Sequence, residues 1–122
     1  TAKRYCYERL YAAKVLFDWI GYSKYLKLLD ETIHIGGQWT KINLDYWIKG
    51  LNRTDALQYV FLLLRDSDSF VRWSAYGALK IYFNKEGQEY EETKYYTGDE
   101  VYINNKLFED RLAELKCKIE SW

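Results

Sequence analysis

The sequence predicts a mainly α-helical protein, a compact bundle of helices with a small β-hairpin near its C-terminal end. Three observations carry that expectation. Apolar residues recur at i+3 and i+4 steps through most of the chain, no proline interrupts its 122 residues, and only the stretch beyond Asn84 changes to short runs of Tyr, Thr, Val and Ile. With no low-complexity linker, residues 1–122 read as a single helical domain, and a chain of this length buries roughly two thirds of its unfolded surface.

From Ala2 to Glu31 the helical pattern runs through Cys6, Leu10, Ala13, Phe17 and Ile20, then Tyr25, Leu28 and Leu29. Gly21 interrupts it, either ending one helix and starting the next or sitting inside one long bent helix. Residues 32–42 carry β-branched side chains on both sides of Gly36-Gly37, so they read as a two-residue hairpin or an ordered loop. Asn43 or Asp45 opens a short amphipathic helix through Leu51, with Leu44, Trp47, Ile48 and Leu51 on one side. Asn52 or Thr54 caps the next helix, to about Arg65, with Leu57, Val60, Phe61 and Leu64 inward.

Asp66-Ser67-Asp68-Ser69 is a turn whose short polar side chains accept the orphan N–H groups of the following helix. That helix, from about Ser69 to Phe83, buries Val71, Ala75, Ala78, Leu79 and Tyr82. Its small residues Ser74, Ala75, Gly77 and Ala78 let a neighbouring helix approach. Trp73 and Tyr76 fall outside this face. Tyr90–Thr97 and Val101–Asn104 flank Gly98-Asp99-Glu100 as the two strands of the expected hairpin, its edge guarded by charge. A final helix from Asn105 to about Ser121 steps through Phe108, Leu112, Leu115, Ile119 and Trp122.

Composition narrows the function. Hydrophobic residues at 48% and charged residues at 30% describe a globular chain. The sequence has no apolar run of the roughly 18 residues needed to cross a bilayer, and Thr1-Ala2-Lys3-Arg4-Tyr5 has no signal-peptide character, so the expectation is a soluble, cytoplasmic protein with no membrane partner. Cys6 and Cys117 have no CxxC spacing, and His34 is the single histidine. No metal site or cofactor is expected, and the cysteines read as reduced thiols packed as small hydrophobes. Nucleophile motifs, phosphate-binding glycine loops and a partner for His34 are all missing from the sequence, and the adjacent acids Glu91-Glu92 and Asp99-Glu100 read as a solvated surface. The chain is expected not to be an enzyme.

Aromatic residues reach 19%, with thirteen Tyr and five Trp. Tyr and Trp need a partner for their O–H or N–H when buried, so an excess of them lies at the boundary of core and water, where binding hot spots form. Formal net charge is zero but uneven. Residues 1–61 hold nine Lys/Arg against six Asp/Glu, and residues 62–122 hold nine against twelve. The acid gathers between Glu86 and Glu100, the reverse of what non-specific nucleic-acid binding requires.

One stretch resembles a known family. Leu63–Leu79 is similar to the inter-helix segment of a HEAT-like repeat, with two turn acids (Asp66, Asp68), a Val-Arg pair (Val71, Arg72), and then Ala75, Ala78 and Leu79 on the second helix. Ser69 stands where the family usually has proline. The resemblance covers about residues 54–83, has no second clear copy, and implies an antiparallel helix pair within a bundle or short α-solenoid, with Asp66, Asp68 and Arg72 serving the turn.

The resemblance also reaches, more faintly, to the small HEAT-like immunity proteins of bacterial toxins of the contact-dependent inhibition type. It implies a non-catalytic inhibitor, an immunity protein or antitoxin that binds a cognate toxin, a nuclease with a basic surface. An acidic docking face steers association with such a target. The expected contacts are Tyr90, Glu91, Glu92, Tyr95, Tyr96, Asp99, Glu100 and Tyr102, with Trp39 beside them. A phage-encoded inhibitor of a host nuclease defence uses the same physics. The competing expectation is a nucleic-acid-associated HEAT-like module working through Lys3, Arg4, Arg9 and Lys14, a basic set diluted by Glu8 and Asp18.

Overall fold

A computed structural model of the chain describes residues 2–35, 37–83 and 97–120. Nine helices and no strands occur among them: α1 Ala2–Val15, α2 Phe17–Ile20, α3 Tyr22–Ile35, α4 Gln38–Ile42, α5 Leu44–Ile48, α6 Arg53–Leu63, α7 Ser69–Phe83, α8 Asp99–Ile103 and α9 Asn105–Glu120. Gly21 resolves the first ambiguity. It adopts φ 86°, a left-handed conformation open to glycine, so the helical path ends at Ile20 and restarts at Tyr22. The Gly21 N–H closes the last turn on the Phe17 carbonyl at 3.0 Å.

Two segments are helical instead, one expected as a hairpin or an ordered loop and one expected as a β-strand. Thr32–Ile35 completes α3, because Thr32 and Ile33 fall on its buried face with Tyr25 and Leu29. The Thr32 hydroxyl also donates to the Leu28 carbonyl one turn back at 2.7 Å, a local bond that makes the β-branched residue compatible with helix. Beyond the glycines, Gln38–Ile42 is α4 rather than a second strand. Near the C-terminal end Val101, Tyr102 and Ile103 lie in α8, not in a hairpin. Gly98 precedes that helix in extended conformation, two acids occupy its first turn, and the Tyr102 N–H reaches the Gly98 carbonyl at 3.0 Å. Tertiary contacts outweigh β propensity here. The other expected strand, residues 90–96, lies outside the described residues.

α7 is the hub, packed against α4, α5 and α6, while α1 lies along α3 and α8 folds onto α9. One apolar cluster joins these elements, from Leu10 and Leu29 through Trp47, Val60 and Leu79 to Phe108 and Leu115. Polar groups inside it are matched: the Tyr25 hydroxyl donates to the Trp47 carbonyl at 2.5 Å, and the Trp47 indole N–H donates to the Thr40 carbonyl at 3.1 Å. On α6 the buried side chains include Ala56, Tyr59 and Leu63 as well as the expected Val60; Leu57 and Phe61 are only half-buried. Of the small residues on α7, Ala75 and Ala78 are buried, whereas a side chain at Gly77 would meet nothing within 4 Å. Gly77 therefore does not serve a close helix approach. Both cysteines are free, and Cys117 is exposed rather than packed.

The α6–α7 turn is held by its acids. Asp66 accepts the Asp68 N–H at 2.9 Å and the Lys41 ammonium at 2.8 Å, and Asp68 accepts the Phe70 N–H at 2.8 Å. Burial alone raises the Asp66 pKa, but the hydrogen bonds from Lys41 and from the Asp68 backbone outweigh it and hold the carboxyl below its ordinary 3.8. A depressed folded pKa means that the stabilisation is complete above about pH 4 and disappears as pH falls through the folded value. Asp66→Asn is expected to cost about 1 kcal/mol at pH 7 and to flatten the fall in stability below pH 4. Urea unfolding at several pH values checks both.

Candidate protein-docking site

The site grows from Arg72, a guanidinium with no solvent exposure at the start of α7. Its Nη1 donates to the carbonyls of Asp66 at 2.9 Å and Ser67 at 3.0 Å, both in the α6–α7 turn. Nε donates to the Thr97 carbonyl at 3.0 Å, and Nη2 pairs with the Asp99 carboxylate. The plane also lies 4.1 Å from the Tyr102 ring centroid, within cation–π range. One side chain thus ties the turn to the start of α8. A buried cation needs such satisfaction: neutral carbonyls take three of its bonds, and its anionic partner among the described residues, Asp99, is itself 67% exposed.

This arrangement fixes where the expected contact residues stand. Asp99 and Tyr102 come together around Arg72, and Glu100 is exposed on the first turn of α8. Tyr102 is half-buried, edge-on to Phe108 with centroids 5.2 Å apart, and its hydroxyl donates to the Arg65 carbonyl at 3.4 Å. Much of its ring is therefore committed to packing. Tyr90, Glu91, Glu92, Tyr95 and Tyr96 lie outside the described residues.

Trp39 stands on α4, whose neighbouring Gln38 is tied to the α6–α7 turn. Trp39 is 66% exposed, and α7 presents Phe70 and Trp73, each 56% exposed, with ring centroids 5.6 Å apart. Asp68 links the two helices, because one carboxylate oxygen accepts Gln38 Nε2 at 3.0 Å while the other holds the Phe70 N–H. Lys41 anchors α4 to the same turn through Asp66. Exposed aromatic rings thus stand on backbone fixed by short polar bonds. Tyr76, expected outside the inward face like Trp73, is buried, because Arg72, Tyr76, Leu79 and Phe83 form a second inward row at i+4, i+3 and i+4. That spacing is visible in the sequence for Tyr76, Leu79 and Phe83. Phe70 was not among the expected contacts; its i, i+3 relation to Trp73 is the signal that groups them.

Compared with protein-family models, curated proteins and solved structures, the chain matches none.

The remaining chemistry-bearing residues are dispersed. His34 is exposed, its Nδ1 2.7 Å from the Asp30 carbonyl in the preceding turn. Among the described residues no group of three or more His, Cys, Asp and Glu is placed to hold a metal ion, and no helix is long and apolar enough to cross a membrane. At the N-terminal end Arg4 pairs with Glu8, Arg9 lies over the Tyr5 ring, and Lys14 turns inward to the Lys49 carbonyl. Burial, then the charge of Lys49, lowers the Lys14 pKa. Arg4, Arg9 and Lys14 thus each engage a separate local partner.

Proposed function

We propose that this chain is a non-catalytic inhibitor that acts by binding another protein, an immunity protein or antitoxin neutralising a cognate toxin, with a nuclease of basic surface as the target. The observation that carries the proposal is that large apolar rings, Trp39 on α4 and the paired Phe70 and Trp73 on α7, are left exposed on helices tied to one turn. Tryptophan and other aromatics dominate binding hot spots because they bury much area at small conformational cost. Glu100 adds exposed negative charge at the start of α8, beside the Asp99 carboxylate that pairs with Arg72, and this favours encounter with a basic partner. In this reading α6 and α7 are one HEAT-like helix pair within a compact bundle or short α-solenoid. The two carbonyl bonds from Arg72 into the turn support that part of it.

The test is co-purification from the native locus with the product of the neighbouring gene. A stable complex, with loss of the neighbour's toxicity, is the expected result. Free migration of the two proteins at micromolar concentration would remove the basis of the proposal. A phage-encoded inhibitor is distinguished by the identity of the captured target, a host nuclease rather than a neighbour's product.

A further inference from the structure

The first helix is apolar on two sides. Leu10 and Ala13 turn inward where α1 lies along α3. On the other side Ala12, Val15, Leu16 and Trp19 recur at i, i+3, i+4 and i+7, the spacing of one helix face, and all four are exposed. The break between α1 and α2 does not interrupt this row. The Leu16 N–H donates to the Ala12 carbonyl and the Ile20 N–H to the Leu16 carbonyl, each at 3.0 Å, so the path stays helical from Ala12 to Ile20. Tyr11 borders the row towards α5, where it stacks on Tyr46 with ring centroids 6.4 Å apart. Packing against the fold uses only the inner side. Exposures of 47% for Leu16, 66% for Val15 and 89% for Trp19 show that no other part of the chain covers the outer one.

Charge, shape and area point to one occupant. Of the described side chains that α1 and α2 expose, Arg4 and Arg9 are basic and Glu8 and Asp18 acidic. Arg4 is held by Glu8 at 3.1 Å, and Asp18 directly precedes Trp19, so the face carries no excess charge to draw it to an anionic lipid surface or a strongly charged protein. The same balance suits a second copy of the chain. Its formal net charge is zero, and two like faces meet without net repulsion. Shape agrees. A two-fold axis between Val15 and Leu16 runs the two helices antiparallel, setting Ala12, the smallest residue of the row, against Trp19 of the second copy, the largest, and Val15 against its Leu16. The row is therefore complementary to itself. At the exposures they have, these four side chains with Tyr11 and Tyr46 offer roughly 600 Å² from each copy. Two copies then bury roughly 1,200 Å² together, above the about 1,000 Å² that a specific interface needs.

We infer that this chain forms a homodimer through the outer face of α1 and α2, paired antiparallel with Ala12, Val15, Leu16 and Trp19 at the seam. The face contains none of Trp39, Phe70 and Trp73, so the inference goes beyond the inhibitor reading and does not rest on it. Burial of the seam supplies the affinity, and the fit of Trp19 over Ala12 fixes the pairing.

The experiment is sedimentation equilibrium of the full chain from about 1 to 200 μM. The mass is expected to rise with concentration towards twice the 14.7 kDa of one chain. Trp19→Ala is expected to weaken association about a hundredfold, because each dimer loses the contact twice. Val15→Glu and Leu16→Lys each start from an exposed side chain, so far-UV circular dichroism should show helix content kept, and each is expected to abolish self-association. Mixed in equal amounts, the two variants are expected to associate again, since the introduced carboxylate of one faces the introduced ammonium of the other. The mass of one chain at every concentration overturns the proposal, as does a dimer that survives both Trp19→Ala and Val15→Glu. Two folded variants that stay apart when mixed overturn the antiparallel pairing. Binding of a monomeric chain to anionic phosphatidylserine vesicles, lost in Trp19→Ala, assigns the face to a lipid surface and overturns the proposal too.

Discussion

Arg72→Met is expected to lower the free energy of unfolding by about 3–5 kcal/mol, the usual cost of breaking a buried polar cluster by removing one partner. The methionine fills much of the volume but leaves the carbonyls of Asp66, Ser67 and Thr97 without their donor. The comparison that isolates the cause is Asp99→Asn. Because Asp99 is largely exposed, its pair with Arg72 is screened by solvent, and the substitution is expected to cost about 1 kcal/mol or less. Arg72→Lys keeps the charge and still loses most of the stability, since an ammonium does not reproduce the planar fork that reaches four acceptors. Urea denaturation of the three variants checks the order. If Asp99→Asn equals Arg72→Met, the ion pair and not the carbonyl set carries the energy, and this account of the turn is wrong.

Trp47→Ala is expected to cost about 4 kcal/mol, within the range for deleting a large buried aromatic. Trp47 lies on α5 against α7, its ring edge-on to Tyr7 at 5.6 Å and to Tyr46 at 4.9 Å. Two effects are separable. Trp47→Phe retains most of the packing and removes one of two donors from the Thr40 carbonyl, which keeps the Asn43 N–H at 3.3 Å, so about 1 kcal/mol is expected from that loss alone. The Tyr25 hydroxyl is bonded to the Trp47 backbone, which both substitutions keep, so α3 should stay docked on α5. Thermal unfolding of the pair measures both effects, and a loss below about 1 kcal/mol for Trp47→Ala would mean that α5 is not part of the central core.

The helices were legible in the sequence where one apolar stripe repeats long enough to define a face. α9 and α7 start at the expected residues, α3 and α6 have the expected caps or breaks, and Phe108, Leu112, Leu115 and Ile119 all point inward. The errors have physical causes. Thr32–Ile35 read as hairpin or ordered loop and Val101–Ile103 as strand because β-branched and aromatic side chains favour extended backbone, but their neighbours in space reward the helical arrangement. On α6 a shift of one position around the helix exchanged Leu57 and Phe61 for Ala56, Tyr59 and Leu63 as core residues; an open groove between α6 and α9, lined by Leu57 and Phe61, left both stripes apolar. Arg72 was assigned to the turn from family resemblance, yet its complete burial depends on Thr97, Asp99 and Tyr102, about 25 to 30 residues away in sequence. No local pattern encodes that contact. At the candidate site, Trp39 and Trp73 were visible as unplaced aromatics. Their relation through Asp68 was not, because it depends on α4 being a helix.

The central claim is that this chain binds a protein partner through Trp39, Phe70 and Trp73. The most direct measurement is isothermal titration calorimetry of the partner captured at the native locus against Trp39→Ala, Trp73→Ala and a control, Trp19→Ala. Trp19 is 89% exposed on α2, so its removal changes surface apolarity without touching the α4–α7 group. The account predicts a loss of about 2 kcal/mol or more for Trp39→Ala or Trp73→Ala and less than about 0.5 kcal/mol for Trp19→Ala. Unchanged affinity in both docking variants, or a larger loss in the control, would contradict it.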